Sequence, residues 1–124
     1  MQNNDVTIRK KTYQAAKEIK ASAHYAYVVN GITLDGSKFD NAAFVDDGTC
    51  LGKNEDGKYE PWKDEGLTNP VILDESVQFE LTDDGDNPDI TCGQVLVHGA
   101  VYESMLTGCT AAFKTALAGA IRFV

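Results

Sequence analysis

The side chains with the widest chemical scope in this chain are three cysteines and two histidines. The cysteines, Cys50, Cys92 and Cys109, are odd in number and separated by long, unequal intervals. That spacing matches neither a disulfide framework nor the Cys-x-x-Cys pairs of zinc and redox sites. Because an unpaired cysteine is among the most frequently buried residue types, we predict three buried, inert thiols. We expect no metal ion and no cofactor.

A nucleophilic enzyme would need a nucleophile beside a histidine and an orienting acid. Cys50 lies between Gly48 and Gly52, a spacing similar to the nucleophile elbow of hydrolases, but that elbow joins a strand to a helix. The segment after Gly52 is typical of a turn instead. His98 lies in an apolar run that favours a core or interface role, and His24 lies near the basic start of the chain. We predict no catalytic residue and no enzyme, with a small hydrolase using Cys50 or His98 as the alternative.

The acidic run from Asp83 to Asp89 has the composition of a calcium-binding loop. Helix-loop-helix calcium sites require a glycine at the sixth position of the loop. Counting from Asp83 places Pro88 there, and counting from Asp84 places Asp89 there. Because the register fails both ways, we predict a solvated acidic turn that holds no cation.

The charge of the chain is unevenly distributed. The formal net charge is −8, which disfavours nucleic acid as a partner because phosphate binding needs lysine and arginine. Residues 1–20 hold five basic and two acidic residues, whereas the remainder holds six basic and seventeen acidic ones. A basic segment therefore leads into a strongly acidic body.

We predict that residues 1–24 form an N-terminal arm that becomes ordered on a partner. Its apolar residues alternate as in a strand that adds to the edge of a partner's sheet. A short amphipathic helix over residues 13–23 and a solvated, frayed tail remain alternatives. The predicted binding residues are three apolar ones, Val6, Ile8 and Tyr13, and three basic ones, Arg9, Lys10 and Lys11.

Residues 25–124 are predicted to form one body of short strands. Tyr25 to Leu34 is rich in β-forming residues interrupted by Asn30-Gly31, which is a strong hairpin signal. Elsewhere short apolar runs alternate with Asp-Gly turns, and the βαβ rhythm of a parallel sheet is missing. Further strands are predicted at residues 42–45, 49–52, 58–60, 70–73, 77–81 and 120–124.

The segment from Val95 to Val101 gives the clearest signal for a buried strand. A short helix is predicted between Thr110 and Ala118, because Thr110 can cap its start and Gly119 suits its end. Trp62, the single tryptophan, is predicted to pack in the core or at a sheet edge. The resulting fold class is mainly β with one or two short helices.

The sequence gives no signal for a membrane or for secretion. Its apolar runs are far shorter than the ~18 residues that indicate a membrane span. Residues 1–5 lack the apolar region of a secretory signal. We therefore expect a protein made in a cytoplasm, with no membrane partner.

From about Asp46 onward, the order of features resembles the lambda-type head decoration proteins of tailed phages. The likeness covers residues 40–124 and depends on an ordered set of short motifs rather than on any single one. The closing motif differs from the family's usual pattern at Ala120 and Arg122. The motifs are Gly48 to Lys53, Gly57-Lys58-Tyr59, Pro61-Trp62, Val71 to Leu73, Val95 to Val101, the alanine-rich residues 106–118, and Gly119 to Val124.

This resemblance implies a β-clip-like single domain with an extended N-terminal arm. Proteins of that family form homotrimers on the outer surface of the expanded capsid, where they bind the major capsid protein and stabilise the head. The six predicted residues of the 1–24 arm would then contact the capsid, whereas no residue is assigned to the trimer interface. The protein would be made in the cytoplasm of a bacterial host and would reside on the virion.

A receptor- or glycan-binding module of a virion surface is the alternative function. This hypothesis predicts exposed aromatic side chains around Tyr59 and Trp62. Its signature would be a tryptophan fluorescence that changes when a saccharide is added.

Overall fold

The computed structural model describes residues 18–124, which form a mainly-β single domain with one short α-helix, as predicted. The likeness to a β-clip stays a prediction. The strands are β1 (Ala26–Tyr27), β2 (Ile32–Leu34), β3 (Phe44–Val45), β4 (Cys50–Lys53), β5 (Tyr59–Pro61), β6 (Thr68–Leu73), β7 (Val77–Gln78), β8 (Ile90–Cys92), β9 (Val95–Val101) and β10 (Ile121–Phe123). Helix α1 spans Ala111–Ala116, and single 3₁₀ turns span Gly36–Lys38 and Glu103–Met105.

Most of these strands join one open sheet in the order β1-β9-β6-β4-β5-β2-β8. Strand β10 lies parallel beside β9, and β3 and β7 form a separate antiparallel pair. Strands β4 and β5 form an antiparallel hairpin around the predicted turn at residues 55–57. The sheet therefore has β1, β9 and β10 near one end and β2 and β8 at the other.

Strand β9 spans the predicted residues and organises its end of the sheet. Its first half pairs with β6, where Val95 lies opposite Leu73. Its second half pairs with β10, where Ala100 lies opposite Arg122. Along its other side β9 pairs with β1. Because one strand carries these neighbours, segments that are distant in sequence meet along it.

Two hydrophobic clusters form the core, and β9 contributes Val95 to the first and Leu96 to the second. Full burial of one large apolar side chain is worth roughly 1.5–3 kcal/mol. The first cluster contains Ile32, Leu34, Val45, Leu51, Tyr59, Val71, Leu73, Phe79, Cys92 and Val95. The second contains Ile19, Cys50, Ile72, Leu96, Val101, Phe113, Leu117 and Ile121.

Helix α1 confirms the predicted capping pattern. The hydroxyl oxygen of Thr110 accepts a hydrogen bond of 3.1 Å from the Phe113 amide, which satisfies one of the free donors at the helix start. Phe113 and Leu117 are buried on the core side. Gly119 has a φ of 88°, the left-handed conformation that glycine adopts after a helix.

The hairpin predicted over Tyr25 to Leu34 is wrong, although its turn is present. Asn30 and Gly31 both have positive φ, 69° and 72°, as a tight turn requires. Strand β1 nevertheless pairs with β9, and β2 pairs with β5 and β8. A side chain at Gly31 would collide with the carbonyl of Cys92. The turn therefore carries the chain to a different neighbour in the sheet instead of folding it back on itself.

The strand predicted over residues 77–81 is shorter than expected. Strand β7 covers Val77–Gln78 alone and pairs with β3. Phe79 is buried in the first cluster, but Leu81 is 45% exposed. Strand β8 has no counterpart among the predicted strands, because its three residues are too short to show an alternating pattern.

Candidate functional site

Both histidines of the chain, and the only arginine among residues 18–124, line one open cleft of about 470 Å³. We call it the histidine–arginine cleft and define it by His24, His98 and Arg122. Three separate parts of the chain supply these side chains: the segment before β1, strand β9 and strand β10. The sequence places the three residues far apart, so the fold alone brings them together.

The parallel pairing of β10 with β9 places Arg122 in the cleft. Arg122 lies opposite Ala100, and both line the cleft. Its neighbours Ile121 and Phe123 alternate to the other face, where they pack on the second core cluster.

Gly99 allows the segment that carries His24 to approach β9 closely. Its φ is 141°, a conformation that other residues rarely adopt. A Cβ at this position would lie 3.0 Å from the Cβ of Tyr25 and 3.3 Å from the carbonyl oxygen of His24. The glycine is therefore what permits His24 and His98 to line the same cleft.

The segment at residues 19–21 is fixed to the body by backbone hydrogen bonds and by burial. The Ala21 amide donates to the Ala100 carbonyl at 2.8 Å, and the Tyr102 amide donates to the Ile19 carbonyl at 2.8 Å. The side chain of Ile19 is fully buried in the second cluster. The described end of the predicted arm thus forms an isolated antiparallel bridge, from Lys20 to Val101, beside the end of β9.

A buried carboxylate reinforces this attachment. Asp74 accepts hydrogen bonds from the Lys20 ammonium at 2.6 Å and from the Tyr27 hydroxyl at 2.5 Å. Burial alone would lower the pKa of Lys20, but its hydrogen bonds with Asp74 and Glu18 outweigh burial and raise it. Burial and the hydrogen bond with Asp74 raise the pKa of Tyr27 to about 12. Lys20 therefore stays charged and Tyr27 neutral at physiological pH.

The charged side chain that lines the cleft is the cationic one of Arg122, although the chain as a whole is acidic. Among the described residues that line it, none has a carboxylate side chain. The acidic side chains of Glu18 and Glu103 are paired with Lys20 at 3.0 Å and Lys114 at 2.8 Å. A guanidinium group presents a planar fork that binds carboxylates and phosphates through two hydrogen bonds, and imidazoles add hydrogen-bonding nitrogens. The arrangement suits the binding of an oxyanion such as a carboxylate.

The prediction that His98 is a core residue is wrong, because its side chain is exposed at the cleft. The apolar neighbours that suggested burial are themselves buried at Val95, Leu96 and Val101, whereas His98 between them is exposed. An interface role for His98 stays a prediction. Arg122 was not identified from the sequence as a candidate binding residue. The feature that could have indicated it is a single charged residue between Ile121 and Phe123 in the closing strand.

The prediction of buried thiols is confirmed for Cys50 and Cys92, while Cys109 is only half-buried. All three are free. Burial raises the pKa of the Cys92 thiol to about 11 and raises that of Cys50 still further. A thiol that keeps its proton is a poor nucleophile, which disfavours Cys50 as the nucleophile of a hydrolase.

The aromatic residues Tyr59 and Trp62 do not form an exposed platform. Tyr59 is buried in the first cluster. The Trp62 ring is half-buried and contacts the Phe113 ring edge-on, with 5.2 Å between ring centroids. The packing role predicted for Trp62 is confirmed, and the exposed aromatic surface expected of a glycan-binding module is not found at these two residues.

The acidic run forms an exposed turn, as predicted. The Thr82 amide donates to the Asp86 carbonyl at 2.8 Å, and the Gly85 amide donates to the Thr82 carbonyl at 2.9 Å. Within residues 18–124, no group of three or more His, Cys, Asp or Glu side chains is placed to hold a metal ion. The same part of the chain contains no helix long and apolar enough to cross a membrane.

The six predicted capsid-binding residues, Val6, Ile8, Arg9, Lys10, Lys11 and Tyr13, lie outside the described residues. So does the first part of the alternative helix at residues 13–23. Its remaining part, residues 18–23, is not helical, so that alternative is wrong for those residues.

Comparison of the chain with family models, with curated proteins and with solved structures finds no match. A functional assignment therefore depends on the motifs of this sequence and on the geometry of its own residues. The histidine–arginine cleft and the attachment of the basic segment beside it are the two features that bear most directly on such an assignment.

Proposed function

We propose that this chain is a structural virion protein that decorates the expanded head of a tailed phage. In this proposal it forms homotrimers on the outer capsid surface and stabilises the head by binding the major capsid protein. The observation that carries the proposal is the ordered set of motifs between residues 46 and 124, which resembles the lambda-type decoration proteins. The strands built by these motifs, including β4, β5, β6 and β9, are contiguous in one sheet, which is consistent with a shared architecture.

The attachment of the N-terminal segment supports a capsid-binding arm. Ile19 and Lys20 are fixed on the body by burial and by the Asp74 carboxylate. Four of the five basic residues within positions 1–20 precede them. Any partner that binds this basic segment would thus be tied to the body at a fixed point. A trimer would present three such segments, so weak contacts with a capsid would combine into strong attachment.

The surface around the cleft has the composition of an interaction site. Tyr25, Tyr102, Met105 and Val124 are each between 37% and 54% exposed. Tyr102 and Val124 line the histidine–arginine cleft itself. Aromatic residues, methionine and arginine are enriched in protein interfaces, so this end of the sheet suits contact with another protein. Such a role needs no catalytic step, and the net charge of −8 argues for protein rather than nucleic acid as the partner.

The proposal is tested by co-sedimentation of the purified protein with its cognate expanded capsids. Deletion of residues 1–17 removes the basic segment but keeps Ile19 and Lys20, so the body should fold and the capsid binding should be lost. Replacing Arg9, Lys10 and Lys11 with glutamine should weaken binding without any change in melting temperature.

The matched control is Lys38→Gln, which removes a positive charge from an exposed position on the body. This variant should bind like the wild type. A full-length protein that forms no trimers and does not bind capsids would refute the proposal. Binding that survives the deletion of residues 1–17 would refute the role of the arm.

A further inference from the structure

We infer that the histidine–arginine cleft of one copy binds the acidic turn Thr82 to Asp86 of the next copy, and that this is the contact that closes the homotrimer. The inference rests on the proposed function only in assuming a homotrimer. It assigns residues to the trimer interface, for which no residue is predicted from sequence. Three observations carry it: the charge of the cleft, the form of the turn, and their positions in the sheet.

The cleft supplies the positive partner. Arg122 is the only arginine in the described part of the chain, and it shares the cleft with both histidines. The tyrosine ring of Tyr102 adds an apolar wall with a polar tip. At about 470 Å³ the open cleft has room for one or two carboxylate side chains.

The acidic turn supplies the negative partner. Asp83, Asp84 and Asp86 are exposed, and no ion pair within the described residues neutralises them. Two backbone hydrogen bonds close the turn around Gly85. The side chain of Asn87 fixes its base by donating to the carbonyls of Gly36, Phe39 and Asp40. A turn that is ordered before binding loses little conformational entropy when it docks.

The two partners lie at opposite ends of the sheet. The cleft is formed at β9 and β10, whereas the acidic turn precedes β8, the strand at the other end of the order. A contact between different surfaces of identical chains is head-to-tail, and it generates a ring when the rotation closes. A cationic site at one end and an acidic turn at the other therefore fit a closed trimer in which each copy donates one turn and receives another.

Charge reversal tests the contact. Arg122→Glu in one variant, and Asp84→Lys with Asp86→Lys in another, should each weaken trimer formation on the order of tenfold or more. The variant that combines all three substitutions restores opposite charges at each contact of the ring, so it should recover trimers. The measurement is sedimentation velocity over a range of protein concentrations, with melting temperatures to show that each variant is folded.

The matched control is Glu65→Lys, an exposed charge reversal outside both the cleft and the acidic turn, which should leave trimer formation unchanged. In a second measurement, a photoreactive phenylalanine analogue replaces Tyr102, both in free protein and on capsids. Its cross-link should map to the peptide that contains Asp83 to Asp86 of another copy.

The inference is overturned if Arg122→Glu forms trimers as readily as the wild type. It is also overturned if both charge-reversed variants are monomeric and the combined variant stays monomeric, or if the cross-link maps elsewhere. A protein that binds capsids through residues 1–17 but fails these tests would keep the proposed function and lose only this interface. A protein that passes them without binding capsids would keep the interface and lose the proposed function.

Discussion

The two ends of the sheet use their charged side chains in different ways. At the end formed by β2 and β8, the polar groups at the base of the acidic turn satisfy one another, and only the tip of the turn is left unpaired: Asp89 binds the Lys58 ammonium at 2.8 Å and the Gly36 amide at 3.0 Å. At the end formed by β9 and β10, the polar side chains fall into two groups. Asp74 anchors Lys20 and Tyr27 within the fold, whereas Arg122 and the two histidines line an open cleft.

This difference separates side chains that hold the fold from side chains that are available to a partner. The acidic end is a surface fixed from within, with its loop tied by Asn87. At the cationic end, the buried contacts of Asp74 with Lys20 and Tyr27 stabilise the fold, and the histidine–arginine cleft is open to a partner. Substitutions at the anchor should therefore cost stability, and substitutions in the cleft should cost association.

The largest effect is expected from Asp74→Ala. The Asp74 and Lys20 side chains are only 4% and 16% exposed, so the substitution leaves a largely buried ammonium group with the exposed Glu18 as its remaining partner. Loss of one member of such a pair costs about 3 kcal/mol of unfolding free energy. Urea denaturation measures this loss of unfolding free energy. Glu103→Ala breaks the exposed pair with Lys114 and should cost far less, because water screens exposed charges. Equal losses of unfolding free energy in the two variants would contradict the division between anchor and surface.

At the acidic end, Asn87→Ala should destabilise the fold by about 2 kcal/mol. Its amide donates to three backbone carbonyls, and its oxygen accepts from the Ala42 amide at 2.8 Å. Partly buried carbonyls that lose their donor cost about 1–3 kcal/mol in total. Asn41→Ala is the control, since Asn41 makes one exposed hydrogen bond of 3.3 Å. A cost no greater than that of the control would mean that Asn87 does not hold the acidic loop.

Gly99→Ala should destabilise the cleft end by about 1–2 kcal/mol, because it combines an unfavourable φ with a close approach to Tyr25. Denaturant unfolding measures the change. Gly93→Ala is the matched control in the same region, because a Cβ there meets nothing within 4 Å. If Gly99→Ala were as stable as this control, the close approach of the His24 segment to β9 would be in doubt.

The two ends should also differ in the pH at which they lose stability. The pKa of Tyr27 is raised above its ordinary value of 10.0, so its contribution is complete below pH ~10 and is lost as the pH rises towards 12. Tyr27→Phe should cost about 1 kcal/mol at pH 8, with a difference from the wild type that shrinks at higher pH.

At the acidic end the direction is the opposite. The hydrogen bond from Lys58 lowers the pKa of Asp89 below 3.8, so its contribution is present above that pH and lost as the pH falls. Asp89→Asn should therefore differ from the wild type near neutral pH and converge with it in acid. Unfolding curves measured across the pH range would show both trends. If the difference in unfolding free energy between the wild type and Tyr27→Phe grew at alkaline pH, the stabilising role assigned to the protonated Tyr27 would be wrong.

The smallest effect is expected from a chelator. The acidic turn is closed by backbone hydrogen bonds and tied by Asn87, so its order does not require a cation. Addition of EDTA should leave the melting temperature unchanged. A clear decrease would show that the acidic end depends on a bound ion and not on its amide hydrogen bonds.

Several local features could be predicted because neighbouring residues decide them. Thr110 caps α1 because its hydroxyl reaches an amide three residues away, and Gly57 and Gly119 stand where the chain needs positive φ. The apolar run at Val95 to Val101 was enough to locate β9. Asn30-Gly31 fixed a turn but not the pairing of the strands beside it.

Only the tertiary structure decided which segments meet. The failed hairpin shows why: a turn sets the local direction of the chain, whereas the partner of a strand depends on the side chains and hydrogen bonds that the whole sheet offers. The cleft has the same origin. His24, His98 and Arg122 carry no shared signal in sequence, because their meeting depends on β10 pairing with β9 and on Gly99 admitting the segment before β1. Sequence determined the elements, their caps and the uneven charge, and the long-range pairings of β9 determined the site.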